Sequence, residues 1–453
     1  MNAPRLSLLL FLLSLVPACG GDNLLTRDEL MDPESCKTCH PVHYQEWSGS
    51  MHAYAADDPV FLAMNERGQR ETNGELGDFC VTCHAPMAVR TGATTDGLNL
   101  DELPQSMKGV TCFFCHSVTS VEDDHNNPLV LADDGVLRGG IVDPINNGHH
   151  RMEYSGLHAS DSIDSTKMCG SCHDIVTPAG VHLERTFAEW KASVFNKPTL
   201  KGGLSCGNCH MPTTKGTVAD FDGVPLRDRR EHAWPGIDVA ITDWPEKDHQ
   251  LEVLGRDLFG SILPRLCVQP APGGVEIGYK LDNVFAGHAI PSGAGQDRRM
   301  WAEVIAYDDT DGVLLSTGVV KDGQPVADVA ETDPLLWQIR DLTTDDNGDP
   351  SHMFWDARDY TSELLPAGVT NDPSNPAYNH SVTKFFDVNT EPARVTARVR
   401  VRPIGLDVLD DLVDSGDLDP KYRDAGPTFE MTGTVLEWTS DMGFGCVDRN
   451  TKK

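Results

Sequence analysis

The sequence predicts a two-part α+β chain: short helices and loops over residues 34–248, then an antiparallel β-sandwich-like domain over 249–453. Three observations predict it. Five copies of Cys-x-x-Cys-His crowd into residues 36–210. Between them Gly, Pro, Asp and Asn are plentiful, as in Asp143-Pro144-Ile145-Asn146-Asn147-Gly148, and no long regular strand is visible. After Asp248 no further motif occurs and the texture changes, with apolar residues alternating with polar ones.

The N-terminus reads as a targeting segment. Arg5 supplies the positive charge, and Leu6 to Val16 is an apolar run broken only by Ser7 and Ser14. Such a run is too short for a permanent bilayer span, so residues 1–19 are expected to be a signal peptide. Leu15-Val16-Pro17-Ala18-Cys19 resembles a bacterial lipobox, in which Cys19 becomes the lipidated first residue. Ordinary cleavage near Ala18 would leave Cys19 free. Residues 20–33 are expected to be a tether. Both routes export the chain, to the periplasm or to the outer membrane and cell surface as a lipoprotein.

Ten of the thirteen cysteines fall in the motifs Cys36-Lys-Thr-Cys39-His40, Cys80-Val-Thr-Cys83-His84, Cys112-Phe-Phe-Cys115-His116, Cys169-Gly-Ser-Cys172-His173 and Cys206-Gly-Asn-Cys209-His210. On a helical turn, residues three apart share a face. Two thiols so placed reach both vinyl groups on one edge of a porphyrin, and the next His points its nitrogen at the iron. Zinc needs paired CxxC units or two separated His, not a His after every second Cys. A redox CxxC is expected once, near a βαβ pattern. The motifs therefore predict five covalent haem c groups. One chain segment this short cannot bury five such groups in a conventional core, so the haems must themselves form the core, closely packed.

In the second part, Val275–Leu281, Trp301–Tyr307, Val313–Val320, Ala393–Val401 and Phe429–Trp438 read as strands. Asp308–Gly312 reads as a turn between two of them. A helical excursion is expected near Ile404–Tyr422. The Asp-rich turns lack the spacing of a calcium loop and read as plain hairpin turns. Cys267 and Cys446 stand near the two ends of this part. Outside the cytoplasm they are expected to form a disulfide, with two buried free thiols as the alternative.

A weak echo links Tyr44-Gln-Glu-Trp47-Ser-Gly-Ser50-Met-His52 to Phe187-Ala-Glu-Trp190-Lys-Ala-Ser193-Val-Phe195. Seventeen histidines less the five in the motifs leave twelve to close the sixth position of each iron. The motif Cys36-x-x-Cys39-His40 followed by Glu46-Trp47-x-x-Ser50-x-His52 resembles multihaem cytochromes c of the superfamily of the small tetrahaem carriers and hydroxylamine oxidoreductase. The resemblance runs to about Asp238. It implies that His52 is a distal ligand, often of a different haem.

His150-x3-Tyr154-Ser155-x2-His158 resembles another signature of that family, and it implies His150 and His158 as ligands, with His149 able to replace His150. Arg230-Glu-His232-Ala-Trp-Pro-Gly236 and Ala286-Gly-His288-Ala-Ile-Pro-Ser-Gly293 imply His232 and His288 in the same way. His43 and His182 stand in reserve.

The resemblance implies electron transfer through mainly bis-His haems. Its partners would be redox proteins or an external electron acceptor, with a membrane reached through lipidated Cys19. An extracellular cytochrome assembly is a related reading. The competing reading is an oxidoreductase acting on small nitrogen or sulfur oxides at one open haem. No motif carries Lys in place of His, and relatives with eight haems have three more motifs, so an electron carrier is the expectation rather than an enzyme. The charge argues against one class: a nucleic-acid binder needs a basic face, and the chain carries 69 acidic against 37 basic residues. A net charge of −32 instead favours cationic partners.

Overall fold

The computed structural model describes residues 24–145, 149–197 and 203–451. The expected signal peptide, Cys19 and the first residues of the tether lie outside this range. Among the described residues, no helix is long and apolar enough to cross a membrane.

The chain has the expected two-part α+β form. Residues 24 to about 246 make short helices joined by loops and two- to four-residue ladders. Local chemistry dictates where each helix starts. Thr111 caps Cys112–His116 by accepting the Phe114 N–H. Ser205 and Asn208 form a capping box on Cys206–His210. Proline follows closely after three motifs, at Pro41, Pro86 and Pro212, where it cannot continue the motif helix. Pro41 and Pro86 then open the next helix.

The tether is shorter than residues 20–33. Thr26 and Glu29 form a capping box that starts a helix at Arg27–Met31, and a second helix spans Pro33–Lys37. Leu30 and Met31 are buried in a cluster with Phe113 and Phe114. Their apolar area outweighs the polar character of the segment around them.

The β part does not begin at residue 249. A helix at Lys247–Ser261 crosses that border and runs into strand Ile262–Ala271. One four-stranded sheet orders Val382–Val388, Gly274–Asn283, Ile262–Ala271 and Gly445–Asp448. A six-stranded sheet is built on Arg299–Tyr307 paired with Arg394–Arg402. Both inner faces share one core. Leu266, Ile277 and Tyr279 come from the first sheet, and Val304, Val395 and Val399 from the second. The alternation read in the sequence is the pleat of these strands.

Two strands differ from expectation. Val313–Thr317 stops before Val320. Phe429–Trp438 is broken into Phe429–Glu430 and Leu436–Thr439 by a turn of 3-10 helix at Thr432–Thr434. There the Val399 N–H donates to Thr434 Oγ1 at 2.8 Å, a side-chain substitute for a ladder bond. Cys267 and Cys446 face each other across neighbouring strands and are joined by a disulfide.

The helical excursion is helix Leu406–Asp414 with a short turn at Pro420–Tyr422. It does not pack on the sandwich core. Leu406, Leu409 and Leu412, with Met353 and Trp355, pack on Val60, Ala63 and Leu76 of the first part. Trp355 donates its indole N–H to Glu71 at 3.0 Å, and Arg67 pairs with Asp411 at 2.7 Å. The two parts thus share a hydrophobic cluster as well as a chain.

Candidate functional site

A partly open cavity of about 1770 Å³ runs through the first part, and residues of the second part such as His288, Met300, Trp355 and Met431 close one wall of it. Its volume exceeds the roughly 300–1,000 Å³ of a pocket for one small molecule. Every cysteine and histidine of the five motifs lines it. Thiols of different motifs meet: Cys36 with Cys112, Cys83 with Cys172, and Cys169 with Cys206. Groups attached at such neighbouring sulfurs would lie against one another. Burial pushes the Cys80 and Cys115 thiols up to about 12, the opposite of a thiolate-based redox pair.

Three motif helices end at their histidine, His84, His116 and His210. In the other two the helix stops at Lys37 and Gly170, and one further turn, in which the His40 and His173 N–H groups donate to the Cys36 and Cys169 carbonyls, carries the chain to the histidine. Close approach shapes one of them. A side chain at Gly170, inside Cys169–Cys172, would collide with the Phe187 ring packed against it. Four of the motif histidines are oriented by backbone. His40 Nδ1 lies 2.6 Å from the Val218 carbonyl oxygen and His84 Nδ1 2.9 Å from that of Ala55. His116 Nδ1 is 2.5 Å from the Arg138 oxygen and His210 Nδ1 2.9 Å from that of Pro235. A carbonyl can only accept, so Nδ1 carries the proton and Nε2 keeps its lone pair for a metal.

A metal–nitrogen bond of about 2 Å on each side puts two imidazoles that share one metal about 6 Å apart, centre to centre. Four pairs that join a motif histidine to an expected distal ligand stand at that distance, and the reserve His43 stands 6.0 Å from His40 as well, edge-on at 71°. His40 and His150 are 6.1 Å apart, His173 and His52 6.2 Å, His210 and His288 6.2 Å, and His116 and His232 6.4 Å. The last two pairs are nearly parallel, at 17° and 19°. His232 and His288 turn Nδ1 to the carbonyls of Arg230 and Ala289, which leaves Nε2 facing the cavity partner. Burial lowers the affinity of these imidazoles for protons. His52 and His232 fall to about 3, His150 and His288 to about 4. They are therefore neutral, the form a metal requires.

The fifth expected ligand does not join this set. His158 lies 5.7 Å from His116, but its Nε2 is 2.8 Å from the carbonyl oxygen of Cys115, inside the motif itself. Its ring is tilted only 20° from that of His116, so His158 and His232 both face the same motif histidine. His84 has Phe61 as its ring neighbour, stacked at 4.0 Å, and no histidine pairs with it among the described residues. Of the reserves, His43 lines the cavity 4.7 Å from His232, whereas His182 is exposed beside His125.

Several cavity residues carried no signal in isolation. Asp297 is buried and Glu184 half-buried, and each carboxyl is held up at about 7 chiefly by desolvation. Arg298 pairs with Asp238 at 2.8 Å on the same wall. Behind the cavity wall, Glu46, paired with Arg229 at 2.6 Å, and Glu189 bond the segments that carry candidate ligands. The repeated Glu-Trp was their one visible trace.

The donor set, the shape of the motifs and the size of the cavity all fit covalently attached haem. The model of a family described as cytochrome c554 and c-prime matches residues 35–117. The fold is similar to the crystal structure of a penta-heme cytochrome c552 from Thermochromatium tepidum, with a TM-score of 0.63 at 20% identity. That match covers 91% of this chain and 99% of the other. No curated protein matches the chain. The family match covers the first three Cys-x-x-Cys-His motifs, and the likeness to the penta-heme cytochrome is one of fold.

Proposed function

We propose that this chain, similar in its first motifs and in its fold to the multihaem cytochromes c, is an exported pentahaem cytochrome that transfers electrons. One observation carries the reading: all five Cys-x-x-Cys-His units open into one continuous cavity, with thiols of different motifs in contact. Haem c supplies reversible one-electron exchange at its iron when bound. The rest belongs to the chain. Ten cysteines hold the groups in fixed order along the cavity. Backbone carbonyls hold His40, His84, His116 and His210 in the tautomer that offers Nε2. His150, His232, His52 and His288 face His40, His116, His173 and His210, and each pair would close one iron on both sides. Such closure favours electron exchange over substrate binding.

The N-terminal signal and lipidation at Cys19 are part of this reading, as are redox partner proteins or an external acceptor. The net charge of −32 supports docking to cationic partners. Loss of palmitate labelling in Cys19→Ser would be the expected outcome for the anchor.

A second reading has one specific observation in its favour. His84 has no imidazole facing it among the described residues, so the group held by Cys80 and Cys83 is the candidate for an open site. An oxidoreductase of small nitrogen or sulfur oxides would work there. Electron paramagnetic resonance of the oxidised protein decides between the two. The carrier reading expects at least four low-spin haems, with no change on adding nitrite or hydroxylamine. A high-spin signal of one haem that changes with either ligand, together with turnover, would replace it by the enzyme reading.

A further inference from the structure

The echo in the sequence is a repeated piece of structure. Helices Pro41–Ser48 and Thr186–Ala192 each carry a Glu-Trp pair near the C-terminal end. Trp47 donates its indole N–H to the Val110 carbonyl at 2.8 Å, and Trp190 to the Leu204 carbonyl at 3.0 Å. Both carbonyls lie two residues before a motif, at Cys112 and Cys206. Ser50 and Ser193 each donate to the carbonyl of that Trp, at 2.7 and 2.8 Å, and cap the turn that follows.

The glutamates repeat as well. Glu46 Oε2 accepts the backbone N–H of His232 at 3.0 Å, while its Oε1 accepts from Arg229 at 2.6 Å. Glu189 Oε2 accepts the N–H of Ala289, the neighbour of His288, at 3.0 Å, and the Ser292 hydroxyl at 3.1 Å. Thr186, one turn earlier on the same helix, accepts the Gly293 N–H at 3.2 Å. Gly287, on the other side of His288, packs against Trp190 and Phe195.

In each copy the Trp is tied to the segment that enters a motif, His116 in one and His210 in the other. The adjacent Glu is tied to the segment carrying the imidazole that faces it, His232 or His288. One rigid dipeptide therefore spans both sides of one site. We propose that Glu46 and Glu189 are positioning residues that hold the distal histidines His232 and His288 at ligating distance. Each works against its neighbouring Trp, which fixes the facing motif. Residues around a ligand that orient it in this way control how it engages the metal. The Glu189 copy also makes this the joint by which the β part hands a ligand to the first part. Phe195 stands where the first copy has His52, beside the segment that brings His288.

The inference rests on His232 and His288 being ligands, and the experiment separates the two claims. The holo-protein and its variants Glu189→Ala, Glu189→Gln, Glu46→Ala and His288→Ala are compared. Low-spin haems are counted by electron paramagnetic resonance, and carbon monoxide bound per reduced chain is titrated. Glu189→Ala and Glu46→Ala should each lose one low-spin haem and bind one more carbon monoxide than the parent. Glu189→Gln keeps an acceptor oxygen and should stay at the parent count. If Glu189→Ala loads poorly with haem, Glu189→Asp, shorter by one methylene, should still shift the resonance of one haem. An unchanged Glu189→Ala beside a His288→Ala that opens one haem would overturn the positioning role. A His288→Ala that opens none would instead overturn the ligand assignment beneath it.

Discussion

Truncating Leu412 to Ala probes the joint between the two parts of the chain. The side chain is fully buried between helix Leu406–Asp414 and helix Pro59–Glu71, within the cluster that includes Val60, Ala63 and Trp355. The substitution removes three carbons. At about 0.8 kcal/mol per buried carbon group the transfer loss is about 2.4 kcal/mol. The cavity left behind adds to it, which brings the total into the range of about 2–5 kcal/mol for buried Leu truncations.

The assay is urea unfolding of the holo-protein, followed at the Soret band for the first part and by far-ultraviolet circular dichroism for the whole. Because residues of both parts share one cluster, both midpoints should fall together by an amount equivalent to that loss. A loss below about 1 kcal/mol would refute the packing argument, being less than half the transfer loss alone. A shift at one probe alone would refute the claim that the parts unfold as one unit.

Two further substitutions test the buried chemistry. Asp297 is buried, and chiefly for that reason its carboxyl is held up at about 7 from an ordinary 3.8. The folded chain then keeps a proton that the unfolded chain has released, so stability falls as pH rises from about 4 to about 7, by at most about 1.4 kcal/mol per unit. Asp297→Asn should be more stable than the parent at pH 8, with the advantage shrinking toward pH 5; an equal advantage at both contradicts the assignment. Replacing Cys267 and Cys446 by Ser opens a loop of 179 residues. It should cost up to about 5 kcal/mol in urea unfolding without loss of bound haem, and no change would show that the bridge constrains nothing.

What the sequence made legible follows from which interactions are local. A Cys-x-x-Cys-His unit contains its own geometry within one helical turn, so the thiols and motif histidines could be read directly. Strands such as Gly274–Asn283 could be read because the pleat writes its burial into alternate residues. The distal side is set by distant contacts. His288 stands 6.2 Å from His210 on a loop between two strands of the β part, a loop that bonds Glu189 through Ala289 and Ser292. His158 looks the same as His150 in sequence, yet its Nε2 is taken by the Cys115 carbonyl.

The missed helix at Arg27–Met31 did carry a signal in Thr26-x-x-Glu29, but it lay in a stretch read as linker for its position. The border at residue 248 follows the change to alternating apolar and polar residues, well after the last motif at His210. Helix Lys247–Ser261 ignores that border because it carries the chain from the haem region into the first strand of the sandwich.

The central claim is that five haems are covalently held in one packed array. Intact mass of the purified, secreted chain, paired with a haemochrome titration, tests it most directly. The account predicts the mass of the processed polypeptide plus five haems, and the loss of one haem for each motif whose two cysteines are changed to Ser. A mass corresponding to four or fewer on a chain with all ten motif cysteines intact would contradict it.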